Sequence, residues 1–174
     1  MRKKLLSLLL VACSAAPALS QSVRDLDWTT YHNPRFGLQL RYPADVFPSQ
    51  RTSEARDGDL FTTPDNSAKL VVGAFENTEG HTAASYQKFI ARHSYPGLRA
   101  DYSPVRQSWS VLSGTSGDTM IYEKIMLSCG GGVINSFALV YPVAERDFYD
   151  PIVEAIEDTF TPGNEGCGQH ASGF

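Results

Sequence analysis

Hydrophobic and polar residues alternate along several short stretches of the chain, with the two-residue period of a β-strand. After a turn signal at residues 33–34, Leu38 and Leu40 alternate with polar neighbours. Turn clusters then frame two further strand-like stretches, at residues 60–62 and 68–75. The alternation predicts strands with one buried face, and the short connection between the last two predicts a hairpin.

The second half of the chain contains longer strand-like stretches, separated by turns rich in glycine or proline. They cover residues 99–105, 109–113, 119–127 and 133–141. The last two are apolar on both faces, which is typical of strands in the middle of a sheet that is covered on both sides. Residues 44–56, by contrast, are polar and interrupted by Pro48, so they predict a short helical turn followed by a loop.

Two segments have the spacing of an amphipathic helix instead. In residues 82–93, aromatic and apolar residues recur at the i, i+3, i+4 and i+7 positions of one helical face, with Thr82 as the predicted N-cap. Residues 146–160 repeat large apolar residues every four positions. Pro151 fits this second helix only in its first turn, with Asp150 as the cap, because later turns need the N–H that proline lacks.

Together these elements predict an α+β fold. About six or seven strands, joined mostly by short connections, form an antiparallel sheet, and the two helices cover its two faces as an α/β/α sandwich. The periodic pattern ends at Pro162. We therefore expect residues 21–162 to form a single domain and residues 163–174 to form a flexible C-terminal tail.

The first 20 residues have the features of a signal peptide. Basic residues at positions 2–4 precede an apolar run at residues 5–12 and a region of small residues that ends at Ser20. We therefore expect residues 1–20 to direct export to the periplasm or the extracellular space. No stretch of the sequence has the ~20 apolar residues that a membrane-spanning helix needs.

Cys13 gives a second interpretation of the same segment. The run Leu-Val-Ala-Cys at residues 10–13 resembles the lipobox at which bacterial lipoproteins are cleaved and then lipidated on the cysteine. Cleavage after the small residues 18–20 is favoured, because a lipobox cysteine at position 13 is early in a chain. The alternative is a membrane-anchored lipoprotein that carries its lipid on Cys13.

The charge balance argues against a nucleic-acid partner. The chain has 15 basic and 19 acidic residues, a net charge of −4. Removal of residues 1–20 takes three of the basic residues and none of the acidic ones, which leaves a net charge of −7. Such an acidic domain lacks the excess of basic side chains that binding to phosphate backbones requires.

Two cysteines, Cys129 and Cys167, remain after removal of the signal peptide. Exported proteins meet an oxidising compartment, so we expect these two residues to form a disulfide. A catalytic Cys129 with a histidine base is the less favoured alternative, because Cys167 is an obvious bonding partner. The disulfide is expected to tie the C-terminal segment to the domain.

The four histidines show no spacing that is typical of a metal site. They occupy positions 32, 81, 93 and 170, with no i, i+4 pair on a helix and no neighbouring pair of cysteines. We expect His93 at the boundary of the apolar helix face. His81 and His170 are expected to be solvated loop residues.

Other candidate motifs are better explained as turns. Ser116 lies among glycines, but the spacing does not match Gly-x-Ser-x-Gly. The glycines at residues 130–132 precede a predicted strand and lack the lysine of a phosphate loop. Carboxylates at residues 57–59 and 65 are candidate calcium ligands, yet no EF-hand pattern surrounds them. The sequence therefore predicts no catalytic residue, no cofactor and no metal.

The order of these landmarks resembles the PsbP-like domains, named after the extrinsic photosystem II protein. The shared features are an Asn-x-x-Phe-Gly turn at residues 33–37, a strand ending in Tyr-Pro at 42–43, a helix carrying Tyr86 and a final helix ending at 159–160. Bacterial envelope proteins of the DcrB type are similar. The resemblance spans residues 31–160 and implies an antiparallel sheet between helices, used as an accessory or binding module without catalysis.

The sequence therefore favours a non-catalytic envelope domain that binds a protein partner or a small ligand. Two alternatives stay open. One is a hydrolase whose site is assembled only by the fold, and the other is a metal-dependent accessory protein. A buried carboxylate or histidine with a strongly shifted pKa in a cleft would favour the hydrolase.

Overall fold

A computed structural model describes residues 23–165 and residue 167 of the chain. The predicted signal peptide, with Cys13, lies outside the described residues. So does His170 in the predicted tail. The interpretations made for these residues stay predictions.

The described chain forms a large sheet, a small sheet and two long helices. The strands are β1 (Trp28–His32), β2 (Gln39–Pro43), β3 (Ser49–Thr52), β4 (Gly58–Thr62), β5 (Lys69–Glu76), β6 (Arg99–Tyr102), β7 (Trp109–Ser116), β8 (Thr119–Ser128) and β9 (Val133–Pro142). Helix α1 (Ala83–His93) lies between β5 and β6, and helix α2 (Arg146–Thr159) follows β9. Short 3-10 helices occupy Cys129–Gly131 and Val143–Glu145.

Seven strands pair in the order β3-β4-β5-β9-β8-β7-β6, and β1 pairs with β2 in a separate two-stranded sheet. Every pair is antiparallel. Strands β8 and β9 lie near the centre and pair from Thr119 opposite Pro142 to Ser128 opposite Val133. Their two apolar faces are both covered, as the sequence pattern predicted. The predicted α+β fold, with helices on both faces of an antiparallel sheet, is confirmed.

Helix α2 and the two-stranded sheet cover one face of the large sheet, which we call the α2 face. The core on this face includes Leu40, Phe61, Phe137 and Ile156, all buried. Ile152 and Ile156, four residues apart in α2, make this contact because that spacing places them on one side of the helix. Phe148, which the same repeat predicted to be on this side, is 38% exposed.

Helix α1 packs on the opposite face, which we call the α1 face, above β7 and β8. The core there is small and consists of Tyr86, Ile90, Leu112, Ile125 and Ile134, with partly buried neighbours that include Tyr95. Thr82 is the N-cap, as predicted: its side chain accepts a hydrogen bond from the backbone N–H of Ser85 at 3.1 Å. The helix therefore begins where the sequence indicates.

The prediction of a helical turn and loop for residues 44–56 is wrong for part of that segment, because strand β3 lies there. Its four residues, Ser49–Thr52, are all exposed and pair with β4 at the edge of the sheet. An edge strand without a buried face lacks the alternation of apolar residues by which strands are recognised. The hairpin turn that connects it to β4 includes Arg56 with a positive φ of 56°.

The prediction that Pro151 lies in the first turn of the last helix, with Asp150 as its cap, is also wrong. Helix α2 begins at Arg146, and Pro151 lies inside it, in the second turn. Asp150 instead accepts hydrogen bonds from the Tyr141 hydroxyl at 2.5 Å and from Arg146 at 3.3 Å. A 3-10 helix, Val143–Glu145, leads directly into α2, so the helix begins earlier than the position of the proline indicated.

The chain stays packed for several residues after α2. Gly163 is buried: its N–H donates to Asn135 Oδ1 at 2.9 Å, and its carbonyl accepts from the Ser128 hydroxyl at 2.6 Å. A Cβ at this position would collide with the Phe36 carbonyl, so only glycine fits. The Glu165 N–H also donates to Phe36 O at 3.0 Å. The boundary between domain and tail stays a prediction.

Candidate functional site

A large depression lies where the loop before α1 meets the turn between β8 and β9. Its volume is about 850 Å³. The described lining residues are Asn77, Gly80, His81, Thr82, Gln107, Ser108, Leu127, Cys129, Gly130, Gly131, Gly132 and Cys167. Most of these are backbone or neutral polar groups, and none is a carboxylate. The described lining therefore offers hydrogen-bond partners to a ligand, and His81 is its one side chain capable of acid or base chemistry.

A smaller depression, which we call the aromatic groove, lies between the end of β5 and helix α1. Its volume is about 290 Å³. It is lined by Phe75, Glu76, Asn77, Thr78, Glu79, His81, Tyr86, Phe89 and Ile134. The floor is therefore aromatic and apolar. Among the described lining residues, Glu76 and Glu79 carry negative charge, and His81 is the remaining ionisable side chain.

Asn77 separates the two depressions and contributes to both. Its side-chain amide donates to the carbonyls of His81 and Gly131, each at 2.8 Å, and its Oδ1 accepts from the His81 N–H at 2.8 Å. Its own backbone N–H donates to Gly132 O at 2.9 Å. One side chain thus joins the loop before α1 to the β8–β9 turn, which fixes the shared wall.

His81 also lines both depressions, and the expectation that it is a solvated loop residue is wrong. Its side chain is only 19% exposed. Nε2 lies 2.9 Å from Glu79 Oε2, and Nδ1 lies 3.1 Å from Ser85 Oγ. Its ring also packs near those of Tyr86 and Phe89, with centroids 5.6 and 5.5 Å away. The imidazole is therefore fixed in orientation by four neighbours.

Glu79, His81 and Ser85 follow the order of a carboxylate, a base and a hydroxyl. Nδ1 and the Ser85 hydroxyl are within hydrogen-bond distance, and the tautomer of His81 sets which of them donates. Yet Ser85 Oγ accepts the Thr82 N–H at 2.9 Å as part of the capping box of α1. Ser85 is also absent from the described lining of both depressions. The arrangement therefore serves to cap the helix.

The turn between β8 and β9 forms one wall of the large depression. Three consecutive residues have positive φ: Cys129 at 53°, Gly130 at 67° and Gly131 at 99°. Glycine adopts such angles without strain, which explains the glycine run at this hairpin. The sulfurs of Cys129 and Cys167 lie at bonding distance, with Cα atoms 5.0 Å apart. This geometry is consistent with the predicted disulfide, which would also form part of the wall.

Glu123 is a buried carboxylate on the α1 face. It accepts a hydrogen bond from the Tyr95 hydroxyl at 2.6 Å. Burial raises its pKa to about 7, although hydrogen bonds from Tyr95 and Ser136 act in the opposite direction. Burial and the same carboxylate also raise the pKa of Tyr95. Glu123 lines neither depression among the described residues, so its shifted pKa does not mark a catalytic cleft.

The other candidates from the sequence do not come together in one site. His93 stacks on Phe89 with ring centroids 4.3 Å apart, at the exposed side of α1. His32 lies 3.8 Å from Glu165, in an exposed pair. Ser116 ends strand β7 at a turn. None of these three residues belongs to the described lining of the large depression or of the aromatic groove.

The carboxylates considered for calcium are engaged separately. Asp59 is buried and accepts from Tyr31, Gln50 and Thr52. Asp65 accepts from the Ser67 backbone, a contact that is the main cause of its lowered pKa of about 2. Within residues 23–165 and 167, no group of three or more histidine, cysteine, aspartate or glutamate side chains is arranged to hold a metal.

Sequence reasoning missed two residues that shape this side of the molecule. Asn77 directly follows strand β5 and precedes a glycine turn, a position where side-chain caps are common. Glu123 is a charged residue in the middle of an apolar two-faced strand, which by itself indicates a buried carboxylate with a partner. That the partner is Tyr95 depends on packing between distant segments.

None of the helices in the described part of the chain is long and apolar enough to cross a membrane. No protein-family model and no curated protein matches the chain. Among solved structures, it is similar to the solution structure of cyanobacterial PsbP (CyanoP) from Synechocystis sp. PCC 6803, with a TM-score of 0.57 and 13% sequence identity. The match covers 88% of this chain and 98% of that one. The chain therefore has a PsbP-like fold.

Proposed function

We propose that this protein is an exported, non-catalytic binding or accessory domain of the bacterial cell envelope. Its partner, an envelope protein or a small ligand, binds where the large depression and the aromatic groove meet. The observation that carries the proposal is that Asn77 and His81 line both depressions, so that together they form one extended surface. Ligand sites are commonly concave and combine apolar surface with fixed polar groups; here the aromatic groove offers the apolar surface and the large depression the polar groups.

The PsbP-like fold supports the accessory role only by analogy, because one fold carries many functions. The resemblance of the sequence to envelope proteins of the DcrB type belongs to the same proposal. Residues 1–20 act in it as the signal peptide, with lipidation of Cys13 as the alternative. Mass spectrometry of the protein from its native compartment distinguishes the two, since cleavage after Ser20 removes Cys13 and lipidation retains it.

Site-specific photocrosslinking tests the binding function. A photoreactive amino acid replaces Gln107, which is exposed and lines the large depression. The matched control carries it at Glu154, exposed on helix α2. We expect a discrete crosslinked species in intact cells from position 107 and not from position 154. Equal labelling from both positions, or none from position 107, contradicts the proposed site.

A hydrolase is the second candidate, favoured by the 2.9 Å contact of His81 with Glu79 and by its hydrogen bond with Ser85. Assays with ester, peptide and phosphate substrates test it, with Ser85→Ala and His81→Ala as variants. We expect no turnover above buffer. Turnover that persists through purification and is lost in both variants would replace the binding proposal. Elemental analysis of the purified protein tests the metal-dependent alternative in the same way.

A further inference from the structure

We propose that the aromatic groove binds the side chain of a lysine or arginine from a polypeptide partner. This inference rests on the proposed binding function and names the chemistry of its partner. It is carried by three features of the groove: an aromatic floor, an acidic rim and a wall shared with the large depression.

The floor of the groove is built from ring faces and edges. The ring of Tyr86 lies 5.8 Å from that of Phe75 and 6.0 Å from that of Phe89, measured between centroids. Phe89 is 37% exposed, although it is a large apolar side chain. Aromatic rings attract cations through their negative faces, and they also pack well against the methylene groups of a lysine or arginine.

The rim of the groove carries negative charge. The side chain of Glu79 is 69% exposed, and its Oε2 contacts His81. Glu76 lies on the same rim and pairs with Arg35 at 3.3 Å. Most of the Glu79 side chain is in contact with solvent, so a purely apolar ligand would desolvate its carboxylate, and an anionic ligand would be repelled. A side chain with an apolar stem and a cationic end satisfies both the floor and the rim.

The size of the groove indicates a single side chain as its occupant. About 290 Å³ is at the low end of the range for ligand sites and too small for a helix or strand of a partner. The groove adjoins the large depression of about 850 Å³, because Asn77 and His81 line both. The residues next to the bound lysine or arginine can therefore bind in the large depression, which favours a polypeptide over a free amine.

The experiment compares three peptides that differ at one position. They are acetyl-Ser-Leu-Lys-Leu-Ser-amide and its versions with norleucine or glutamate in place of lysine. Binding to the oxidised protein is followed by NMR, through the ring signals of Tyr86 and Phe89. We expect the lysine peptide to bind roughly tenfold more tightly than the norleucine peptide, since the two share the stem and differ in the charge.

Two variants and one matched control locate the binding. Phe89→Ala and Glu79→Gln are each expected to weaken binding of the lysine peptide several-fold, with unchanged circular dichroism. Phe148→Ala is the control, because Phe148 is 38% exposed, much like Phe89, but lies on helix α2. It should leave the affinity unchanged.

The inference is overturned by equal affinity for the lysine and norleucine peptides, by preference for glutamate, or by no binding of any peptide. It is also overturned if Phe148→Ala weakens binding as much as Phe89→Ala. Its failure is distinguishable from failure of the proposed function. A partner that crosslinks at position 107 while the peptides show no preference for lysine keeps the binding function and removes this inference alone.

Discussion

The two faces of the large sheet are covered in different ways. On the α2 face, a fourteen-residue helix and a two-stranded sheet close over one continuous core. On the α1 face, an eleven-residue helix covers β7 and β8 and packs on a small cluster. Val71 of strand β5 also lies on the α1 face, and its side chain is 45% exposed. The α2 face is thus sealed, and the α1 face is partly open.

The difference indicates that the α2 face contributes most of the stability, whereas the α1 face offers more accessible surface. Burial of apolar area is the main favourable contribution to folding, and the α2 face buries most of it. The α1 face holds the aromatic groove, the exposed Phe89 and the buried Glu123, and the large depression adjoins the groove. Regions with few buried contacts open at lower free energy than the core, and binding surfaces are commonly drawn from such regions. The predictions below test this contrast.

The largest effect is expected from Ile156→Asp on the α2 face. Ile156 is fully buried in the larger core, and burial of an unpaired carboxylate costs several kcal/mol, comparable to the whole stability of a domain. We expect the variant to be unfolded by circular dichroism. Glu154→Ala, on the exposed side of the same helix, should change the stability by less than about 0.5 kcal/mol.

Ile90→Asp is the corresponding change on the α1 face. Ile90 is 2% exposed, but its cluster is small, so we expect helix α1 to detach while the sheet and helix α2 stay folded. Hydrogen exchange should then show lost protection in α1 and retained protection in β5 and β9. Complete unfolding by Ile90→Asp would break the contrast between the two faces.

The next effect in size concerns the predicted disulfide. Cys129 and Cys167 are 38 residues apart, and in the chain-entropy model closing such a loop stabilises the folded state by about 4 kcal/mol. The double variant Cys129→Ser, Cys167→Ser should lose stability of this order in denaturant titrations. Reduction of the wild-type protein should have the same effect. Two free thiols in protein from its native compartment would contradict the pairing.

The next effect is a pH dependence of the free energy of unfolding, caused by Glu123. Its pKa rises from 4.5 to about 7 on folding, because burial disfavours the charged form. The folded state therefore holds a proton that the unfolded state releases above pH 4.5. The contribution to stability is complete below about 4.5 and is lost as the pH rises through about 7. The difference is on the order of 3 kcal/mol.

Glu123→Gln removes the titrating group but keeps an acceptor for the Tyr95 hydroxyl. We expect the fall in the free energy of unfolding between pH 4.5 and 8 to flatten in this variant. It should be more stable than the wild type at pH 8. Glu154→Gln, at an exposed position, is the matched control and should leave the profile unchanged. A flat profile in the wild-type protein would show that Glu123 is better solvated than the structure indicates.

The sequence predicts the central strands and helix α1 better than the edge strand β3 and the first turns of α2. Strands β8 and β9 were recognisable as apolar runs between turns, and helix α1 because its apolar residues repeat with a helical period. Strand β3 was not, since all four of its residues are exposed and its pairing comes from β4. The position of Pro151 within α2 was predicted wrongly, because the tolerance of a proline inside a helix depends on its surroundings.

The candidate site was less predictable than the fold. The role of Asn77 depends on a turn 54 residues further along the chain, and that of Glu123 on a tyrosine 28 residues before it. Contacts of this kind are set by the tertiary fold and leave no local pattern. His81 is different, because Glu79 and Ser85 lie within four residues of it. Its neighbours at i−2 and i+4 were a local signal for a partnered histidine.

The smallest effect is expected at the capping box of α1. Thr82 Oγ1 accepts from the Ser85 N–H, and Ser85 Oγ accepts from the Thr82 N–H at 2.9 Å. Loss of an N-cap side chain typically costs about 1 kcal/mol. We expect Thr82→Ala to lower the free energy of unfolding by about that amount. Ser94→Ala at the other end of the helix is the control, because only the backbone of Ser94 takes part in the cap there.

Ser85→Ala extends this test to the site. If Ser85 serves the cap, its removal lowers stability by up to about 1 kcal/mol and leaves every binding measurement unchanged. The hydrogen bond from Ser85 to His81 is also lost, but His81 keeps its contacts with Glu79, Tyr86 and Phe89. Unchanged peptide affinity in this variant would show that Glu79, Tyr86 and Phe89 orient the imidazole of His81 without Ser85. Weakened affinity would show that the cap of α1 and the binding surface are one unit.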